Sequence, residues 1–215
     1  MSERTASVAA DRTVPRAMPG RRGLATRQRL LDSLEELLAT SSYRDLKVTD
    51  VTRLAGTSPA TFYQYFPDVE AAVLAIADEV ADQGVQLHDL VAGRSWRGGA
   101  GYETAARLVD GMLEMWARHD AVLRVVELRA AEGDERFYTT RLRFLNSITT
   151  ALADAAQAAG GSTTPMAMGG ALVSMLAHVA AHQQGFETWR IPVTELRSAM
   201  TRLVYWGVTG RRPPR

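Results

Sequence analysis

The sequence predicts an all-α protein of about nine helices, in which a small N-terminal helical unit precedes a larger helical domain. Two observations support this class. Apolar residues recur at helical spacing through most of the 215 residues, and no stretch shows the alternation that is typical of a strand. The breaks between helical patterns are short and rich in Gly, Pro, Ser or Asp, the residues of caps and turns.

The composition excludes several classes of protein. Hydrophobic residues at 46% and charged residues at 23% are ordinary for a folded chain. The absence of cysteine excludes disulfides, thiolate catalysis and cysteine-type zinc sites. No segment has the length of a membrane span or the pattern of a signal sequence. We therefore expect a cytoplasmic protein with no membrane partner and no cofactor.

Residues 1–23 are predicted to form a basic arm. The formal net charge of the chain is only +1, but residues 1–29 contain seven arginines and two acidic residues. Two interpretations of the arm remain open. It is either a solvated tail or a segment that follows a phosphate backbone or enters a minor groove.

The N-terminal unit is predicted to cover residues 24–68 and to contain three helices. The first begins at Thr26, and its leucines form one apolar stripe. The second covers 48–55 and ends at Gly56, because glycine accepts the positive φ of a helix C′ position. The third begins at the Ser58-Pro59 pair, with a side-chain oxygen at the N-cap and proline at the first helical position.

The larger domain is predicted to cover residues 69–208, and 209–215 form a tail. Its first helix is capped by Asp68 and runs to about Leu90. The remaining helical patterns cover residues 102–119, 121–131, 134–159, 165–187 and 193–208.

The third helix of the N-terminal unit combines an apolar side with a polar one. On a helical wheel, Phe62 and Phe66 share one side and are expected to pack on Val51 and Leu54 of the preceding helix.

The opposite side is made of small and hydrogen-bonding residues. Ala60, Thr61 and Gln64 point outward, and Tyr63 and Tyr65 lie on the two flanks. This pattern is typical of a recognition helix in a major groove, although other helical hairpins show it too.

The segment VTDVTRLAGTSPATFYQYFPDVEAAVLAIADEV resembles the N-terminal signature of the TetR/AcrR family of transcriptional regulators. The matching residues are Asp50, Val51, Ala55, Gly56, Ser58, Thr61, Phe62, Tyr63, Tyr65, Phe66 and Glu70. The resemblance implies a helix-turn-helix followed by a ligand-binding and dimerisation domain. It also implies a DNA surface, with Tyr63 on a phosphate, made of Thr49, Thr57, Ser58, Ala60, Thr61, Tyr63, Gln64 and Tyr65.

Two positions depart from the family pattern. Lys47 stands where family members often carry a Ser or Thr N-cap, and Val69 stands where many carry a phosphate-binding lysine. The resemblance therefore predicts one lost backbone contact, which Lys47, Arg27 or the basic arm replaces.

Residues 171–182 and the last helix are predicted to form the dimer interface. Ser174, His178 and His182 are the only polar residues in this stretch, so such a helix must be covered on several sides. A helix in the centre of the monomer core remains the alternative. The predicted interface residues are Leu172, Leu176, Val179, Leu196, Met200, Leu203 and Val204.

Signals for a metal or catalytic site are weak. His178 and His182 have the spacing of a zinc-binding helix, but no acidic residue lies between them and no third ligand is identifiable. Ser174 lies near His178 without a nucleophile-elbow motif. The sequence therefore predicts no enzyme and no metal site.

Methionine and aromatic residues of the larger domain are predicted to line a cavity for a small apolar effector. An ordinary core is the alternative. Arg124, Glu127 and Arg129 either place a polar group in that cavity or form a solvated face. The predicted effector residues are Met112, Trp116, Phe144, Ile148, Met175, Phe186 and Trp189.

These predictions together describe a homodimeric bacterial repressor that binds an inverted-repeat operator in double-stranded DNA and is released by a small apolar molecule. An activator or a ligand-insensitive regulator on the same fold remains an alternative. A helical protein that binds or hydrolyses a small molecule without using DNA is the alternative from another class.

Overall fold

The computed structural model describes residues 20–214, and within them the chain is all-α, as predicted. One short 3₁₀ helix, Tyr43–Asp45, joins the first two α-helices. No strand occurs in this range. The α-helices are α1 (Arg21–Thr40), α2 (Val48–Leu54), α3 (Pro59–Tyr65), α4 (Val69–Val91), α5 (Gly98–Ala131), α6 (Glu135–Ala159), α7 (Pro165–Ala181), α8 (Gln183–Glu187) and α9 (Val193–Thr209).

The chain becomes helical earlier than its apolar stripe indicates. α1 starts at Arg21, after Gly20 at the N-cap, whereas the sequence predicts a start at Thr26. Residues 21–23 of the predicted arm therefore belong to α1. The rest of the arm, 1–19, lies outside the described residues.

One predicted break in the larger domain is observed and another is missed. The predicted break between 102–119 and 121–131 coincides with a kink at His119, whose φ of −117° and ψ of 19° are not helical, and α5 continues on both sides of it. The pattern at 165–187 is instead interrupted at His182, with φ −120° and ψ 24°, which separates α7 from α8. With α5 counted as one helix, residues 20–214 contain nine α-helices, the number that the sequence predicts.

The N-terminal unit packs its three helices around a small apolar centre. Leu30, Leu34, Val51 and Phe62 are completely buried there. α1 contacts α2, and it also contacts α4 and α5 of the larger domain. The two units therefore share one continuous hydrophobic core.

The larger domain is built around α4, α5 and α6, which pack against one another. α7 lies on α6, and α9 packs mainly on α5. α7 approaches α6 closely at Gly169, where an added Cβ would lie 2.5 Å from the carbonyl oxygen of Thr149. The 23 residues of α4 span about 34 Å, so this helix joins the N-terminal unit to the opposite end of the larger domain. None of the described helices has the length and apolarity to cross a membrane.

Candidate nucleic-acid interface and regulatory region

α3 is fixed at its start by its own side chains. The Ser58 hydroxyl accepts a hydrogen bond from the backbone N–H of Thr61 at 3.2 Å, and Pro59 occupies the first helical position. Phe62 is fully buried and Phe66 is 4% exposed, with ring centroids 5.6 Å apart. These two rings anchor α3 to the core, so its opposite side is held outward.

The sequence predicts that Leu54 contributes to this anchor, but in the structure it does not. Its side chain is 45% exposed, whereas Val51 is fully buried. The reason is the helical turn of about 100° per residue, which places Leu54 well away from the direction shared by Val51 and Thr52. Ala55, closer to that direction, packs against the core instead.

The residues predicted to face DNA lie together on the surface of α2 and α3. Thr49, Ser58, Ala60, Tyr63 and Gln64 are exposed. The structure thus presents the small and polar side of α3 that the helical wheel predicts.

Three of the predicted DNA-facing residues are half-buried instead, namely Thr57, Thr61 and Tyr65. Tyr65 packs against the core with its ring centroid 6.4 Å from that of Phe66. The Thr61 hydroxyl lies 3.0 Å from the Ser58 hydroxyl. Tyr65 therefore contributes to the anchor as well as to the flank of the exposed face.

Lys47 precedes α2 in the position of its N-cap. The Asp50 carboxylate accepts a hydrogen bond from the backbone N–H of Lys47 at 3.1 Å. It also forms an ion pair with Arg53 at 2.6 Å. Asp50 therefore satisfies one backbone donor at this end of the helix. The Lys47 side chain is exposed.

Arg27 occupies a different environment from the one predicted. Its guanidinium forms an ion pair with Glu79 of α4 at 3.1 Å and lies 5.4 Å from the Phe66 ring centroid. The side chain is therefore directed at the joint between α1 and α4, with its charge already paired. This placement argues against Arg27 as the replacement for the missing phosphate contact.

A charged cluster at the start of α4 was not predicted from the sequence. We call Glu70, Arg129, Asp134 and Arg136 the clasp. Glu70 on the first turn of α4 pairs with Arg129 of α5 at 3.0 Å and with Arg136 of α6 at 3.1 Å. Asp134 contacts the same two arginines at 3.1 and 2.8 Å. The clasp therefore ties α4 to the turn between α5 and α6.

The clasp shifts the ionisation of its members. Hydrogen bonds from Arg136 hold the pKa of Asp134 well below its ordinary value. Burial and a hydrogen bond to Glu70 raise the pKa of Tyr43 in the 3₁₀ helix, so its phenol stays protonated. Beside them, Arg44 pairs with Glu132, and this contact lowers the pKa of that carboxylate. The charged residues of the stretch EGDER, residues 132–136, are the sequence signal for such a cluster. Their partner Glu70 is distant in sequence, so the sequence alone does not show the pairing.

His119 connects three helices at the bend of α5. Its Nδ1 lies 3.3 Å from Glu35 Oε1 of α1, and its Nε2 lies 3.2 Å from Gln83 Oε1 of α4. The side chain is 11% exposed. This bridge connects the N-terminal unit to the larger domain, as the ion pairs Arg27–Glu79 and Arg44–Glu132 also do.

Four of the predicted effector residues meet in the core between α5 and α6. Met112 and Ile148 are fully buried, and the rings of Trp116 and Phe144 lie 5.3 Å apart. Phe144 also lies directly against Gly84 of α4, where an added Cβ would be 2.6 Å from its Cδ2. The rings therefore fill the space that the sequence predicts as a cavity, and they bring α4, α5 and α6 into contact.

The other three predicted effector residues lie apart from this group. Met175 and Phe186 are half-buried, and Trp189 is 70% exposed with its ring 5.6 Å from that of Phe186. Trp189 follows α8 in the segment before α9. The prediction that Trp189 lines the interior is therefore wrong.

The polar residues considered for the cavity are engaged elsewhere. Arg129 belongs to the clasp, Arg124 pairs with Asp120 at 3.3 Å, and Glu127 pairs with Arg141 at 2.8 Å. These side chains stabilise helix packing at the surface and at the clasp.

Comparison with known proteins decides the family. Residues 30–76 match the tetR family of bacterial regulatory proteins, and residues 87–215 match the tetracyclin repressor-like C-terminal domain. The second match covers more than half of the chain. The chain belongs to the TetR family.

Individual relatives agree with this assignment. An uncharacterized HTH-type transcriptional regulator of Haemophilus influenzae is 28% identical over 130 residues, which are 60% of this chain and 62% of that protein. The chain thus spans less than two thirds of that relative's length. The HTH-type transcriptional regulator EthR of Mycobacterium tuberculosis is 28% identical over 170 residues, which are 74% of each chain.

A solved structure shows the same fold. The transcriptional regulator FadR of Bacillus subtilis, in complex with stearoyl-CoA, superposes with a TM-score of 0.66 at 14% identity, over 84% of this chain and 98% of that one. TetR-family members are transcriptional regulators rather than enzymes, and they bind DNA operators, typically as dimers, and small-molecule ligands. This protein is accordingly a TetR-family transcriptional regulator.

The structure corrects most of the dimer interface predicted for this TetR-family protein. Its own core already buries five of the seven side chains, so they cannot form the surface that meets another subunit. Leu203 is 45% exposed and Val179 is half-buried. The five buried residues are Leu172, Leu176, Leu196, Met200 and Val204.

The outward sides of α7 and α9 form one exposed face of this TetR-family protein. α7 exposes Ala171, Ser174 and His178, and α9 exposes Leu203 and Trp206. The two helices approach closely, since a Cβ on Gly207 would lie 3.1 Å from the Leu172 side chain. We call these five exposed residues the α7/α9 face. Ser174 and His178, two of the three polar residues in 171–182, therefore lie on the outer side of α7.

The His178 and His182 pair has a local explanation. The two rings stack with centroids 4.3 Å apart, and His182 Nδ1 lies 2.8 Å from the carbonyl oxygen of His178. No group of three potential metal ligands occurs in residues 20–214.

Proposed function

We propose that this TetR-family regulator is a homodimeric repressor that binds an inverted-repeat operator and is released by a small, mainly apolar molecule. The observation that carries the proposal is the exposed face of α3, where Ala60, Tyr63 and Gln64 stand above the buried rings of Phe62 and Phe66. Binding to chromosomal DNA places the protein in the bacterial cytoplasm.

Each exposed residue of α3 has a chemical role in this proposal. The Gln64 amide has the donor and acceptor needed to read an adenine edge in the major groove. The Tyr63 hydroxyl donates to a phosphate and sets the register of the helix. Ala60 permits close approach because its side chain is small. The exposed ammonium of Lys47 supplies a phosphate contact at the start of α2.

Dimerisation through the α7/α9 face gives the operator its symmetry. Two copies that pair around a two-fold axis present two α3 helices to one side of the DNA. The half-sites then run in opposite directions, with major-groove centres at least about 34 Å apart. Leu203 and Trp206 support this interface because both expose apolar area on α9.

The effector is proposed to enter between α4, α5 and α6, where Phe144 lies against both Gly84 and Trp116. FadR of Bacillus subtilis, a structural neighbour, was solved with stearoyl-CoA, a ligand with a long apolar chain. An effector here displaces Phe144 from α4 and tilts that helix. It must bind the released state more tightly than the DNA-bound state, because equal affinity for both shifts nothing.

Selection of genomic fragments by the purified protein tests the proposal. The enriched fragments are expected to share an inverted repeat, and a fluorescent duplex of that repeat is expected to bind in a strongly salt-dependent manner. Absence of any enriched sequence would reject sequence-specific repression, and an enriched site without two-fold symmetry would reject the dimer arrangement.

A further inference from the structure

A cavity of about 440 Å³ lies at the end of α4 that is opposite α3. The last residues of α4 and the C-terminal half of α6 form its apolar wall, with Val91, Ala92, Ala151, Ala155 and Ala158 among the lining residues. Its volume is within the usual range for small-molecule sites. The predicted effector residues of the core are not part of this lining.

The rim of the cavity is positively charged. Arg94, Arg97 and Arg211 line it together with a single carboxylate, that of Asp154. Among the residues that the structure describes, Arg97, Arg211 and Asp154 have no ion-pair partner. His88 also lines the cavity and pairs with Asp89 outside it, at 3.0 Å. The rim therefore attracts an anion, and within residues 20–214 two of its guanidinium groups have no ion-pair partner that would compete.

Trp96 adds an unsatisfied hydrogen-bond donor. Trp96 is one of the residues that line the cavity, it is 7% exposed, and its buried indole N–H has no acceptor within residues 20–214. The backbone of Trp96 is held against the first turn of α5, since a Cβ on Gly101 would lie 2.4 Å from its carbonyl carbon. Buried polar groups in folded proteins are nearly always paired, so this donor indicates a missing acceptor.

We propose that this cavity binds a small organic monoanion, a carboxylate with a compact apolar body. The carboxylate lies at the arginine rim, where Arg97 and Arg211 neutralise it, and a small adjustment of the Trp96 ring lets the indole N–H donate to it. The apolar body lies on the alanine wall. The site goes beyond the core effector position proposed above, and binding to it requires no DNA.

Isothermal titration of the full-length protein without DNA tests this site with three probes. They are 4-tert-butylbenzoate, the uncharged 4-tert-butylbenzamide and inorganic phosphate. The benzoate is expected to bind at least tenfold more tightly than the amide, because the amide lacks the charge. It is also expected to bind at least tenfold more tightly than phosphate, because phosphate lacks an apolar body.

Four variants locate the binding. The double variant Arg97→Gln/Arg211→Gln should weaken benzoate binding at least tenfold, and Trp96→Phe should weaken it severalfold while keeping the ring. Asp154→Asn should tighten it, because it removes the one like charge on the rim. Arg107→Gln removes an exposed arginine of α5 outside the cavity and should change nothing.

The expected gain of benzoate affinity in Asp154→Asn distinguishes a local effect from misfolding, because a damaged fold does not improve binding. Absence of benzoate binding in the wild type would overturn the proposal. Binding that is unchanged in the double arginine variant would place the ligand elsewhere and overturn it too. Equal binding of phosphate and benzoate would reject the apolar wall as part of the site.

Discussion

Arg136 on the first turn of α6 donates to Glu70 on the first turn of α4 across 3.1 Å. α4 begins only a few residues after α3, so this contact joins the regulatory helices to the unit that carries the candidate DNA surface. Arg129 reaches the same carboxylate from α5. A shift of α5 or α6 relative to α4 must therefore either strain the clasp or move the start of α4.

The clasp predicts a specific response to acid. The pKa of Asp134 is lowered in the folded state, so its contribution to stability is complete above the ordinary aspartate pKa of about 3.9 and is lost as pH falls further, through the lowered value. Asp134→Asn should therefore lower the thermal midpoint at pH 6, and the difference from wild type should shrink below about pH 4. Thermal unfolding from pH 3 to 7 measures both. A difference that stays constant with pH would show that the carboxylate charge does not contribute.

A substitution at Gly84 tests how closely Phe144 packs against α4. In Gly84→Ala the added Cβ would lie 2.6 Å from Phe144, so the ring must move. We expect a net loss of about 1–2 kcal/mol of stability, because overpacking outweighs the helix propensity of alanine. Trp116 emission should also change, since its ring touches Phe144.

Gly99→Ala is the matched control, because an added Cβ there meets no atom within 4 Å. It should leave both stability and emission close to wild type. Adding Phe144→Leu to Gly84→Ala should recover part of the lost stability. If Gly84→Ala is as harmless as Gly99→Ala, Phe144 does not pack against α4 as described.

Leu203→Glu tests the α7/α9 face. The side chain is 45% exposed in the single chain, so the substitution should leave the fold of the subunit intact and prevent pairing. Sedimentation velocity should show monomers, and operator affinity should fall severely because each monomer then binds one half-site. Leu142→Glu is the control, since Leu142 is 43% exposed on α6 and outside the face. A Leu203→Glu protein that sediments as the wild-type dimer would exclude this interface.

Trp116 should report effector binding. An apolar effector found by thermal-shift screening is expected to quench tryptophan emission and release the operator over the same concentration range. A coupling of about 1–3 kcal/mol corresponds to an affinity loss of roughly 5- to 150-fold.

Trp116→Phe should remove most of the quench and weaken the response, because the other three tryptophans lie outside this core contact. We prefer it to Trp116→Ala, which would cost about 3–5 kcal/mol of stability. Undiminished quenching and unchanged release in Trp116→Phe would remove this residue from the effector site. Failure of every apolar compound to alter DNA affinity would count against induced release.

The N-terminal unit was the most predictable part of the fold, because its signals are local. The Ser58-Pro59 start, the Gly56 stop and the spacing of Phe62 and Phe66 each act within a few residues, and α3 has the predicted start. The start of α1 was missed because Arg21 precedes the apolar stripe, and helix propensity carries the helix beyond it.

The larger domain was less predictable because its contacts are long-range. The apolar sequence of α7 allows either side to face the core, and only packing against α6 decides that Leu172 and Leu176 are buried and Ser174 is exposed. The clasp escaped prediction for the same reason, since Glu70 and Arg136 meet only in the folded chain.

Operator binding by Gln64→Ala tests the central claim most directly. On a set of duplexes in which each operator base pair is changed in turn, the wild type should discriminate at one position per half-site by about 1–3 kcal/mol, and Gln64→Ala should lose that discrimination alone. Tyr63→Phe should instead weaken binding to all duplexes, because it removes a phosphate contact. Gln86→Ala, an exposed position on α4, is the control and should match wild type. If fluorescence anisotropy shows folded Gln64→Ala and Tyr63→Phe proteins with wild-type affinity on every duplex, α3 is not the recognition helix.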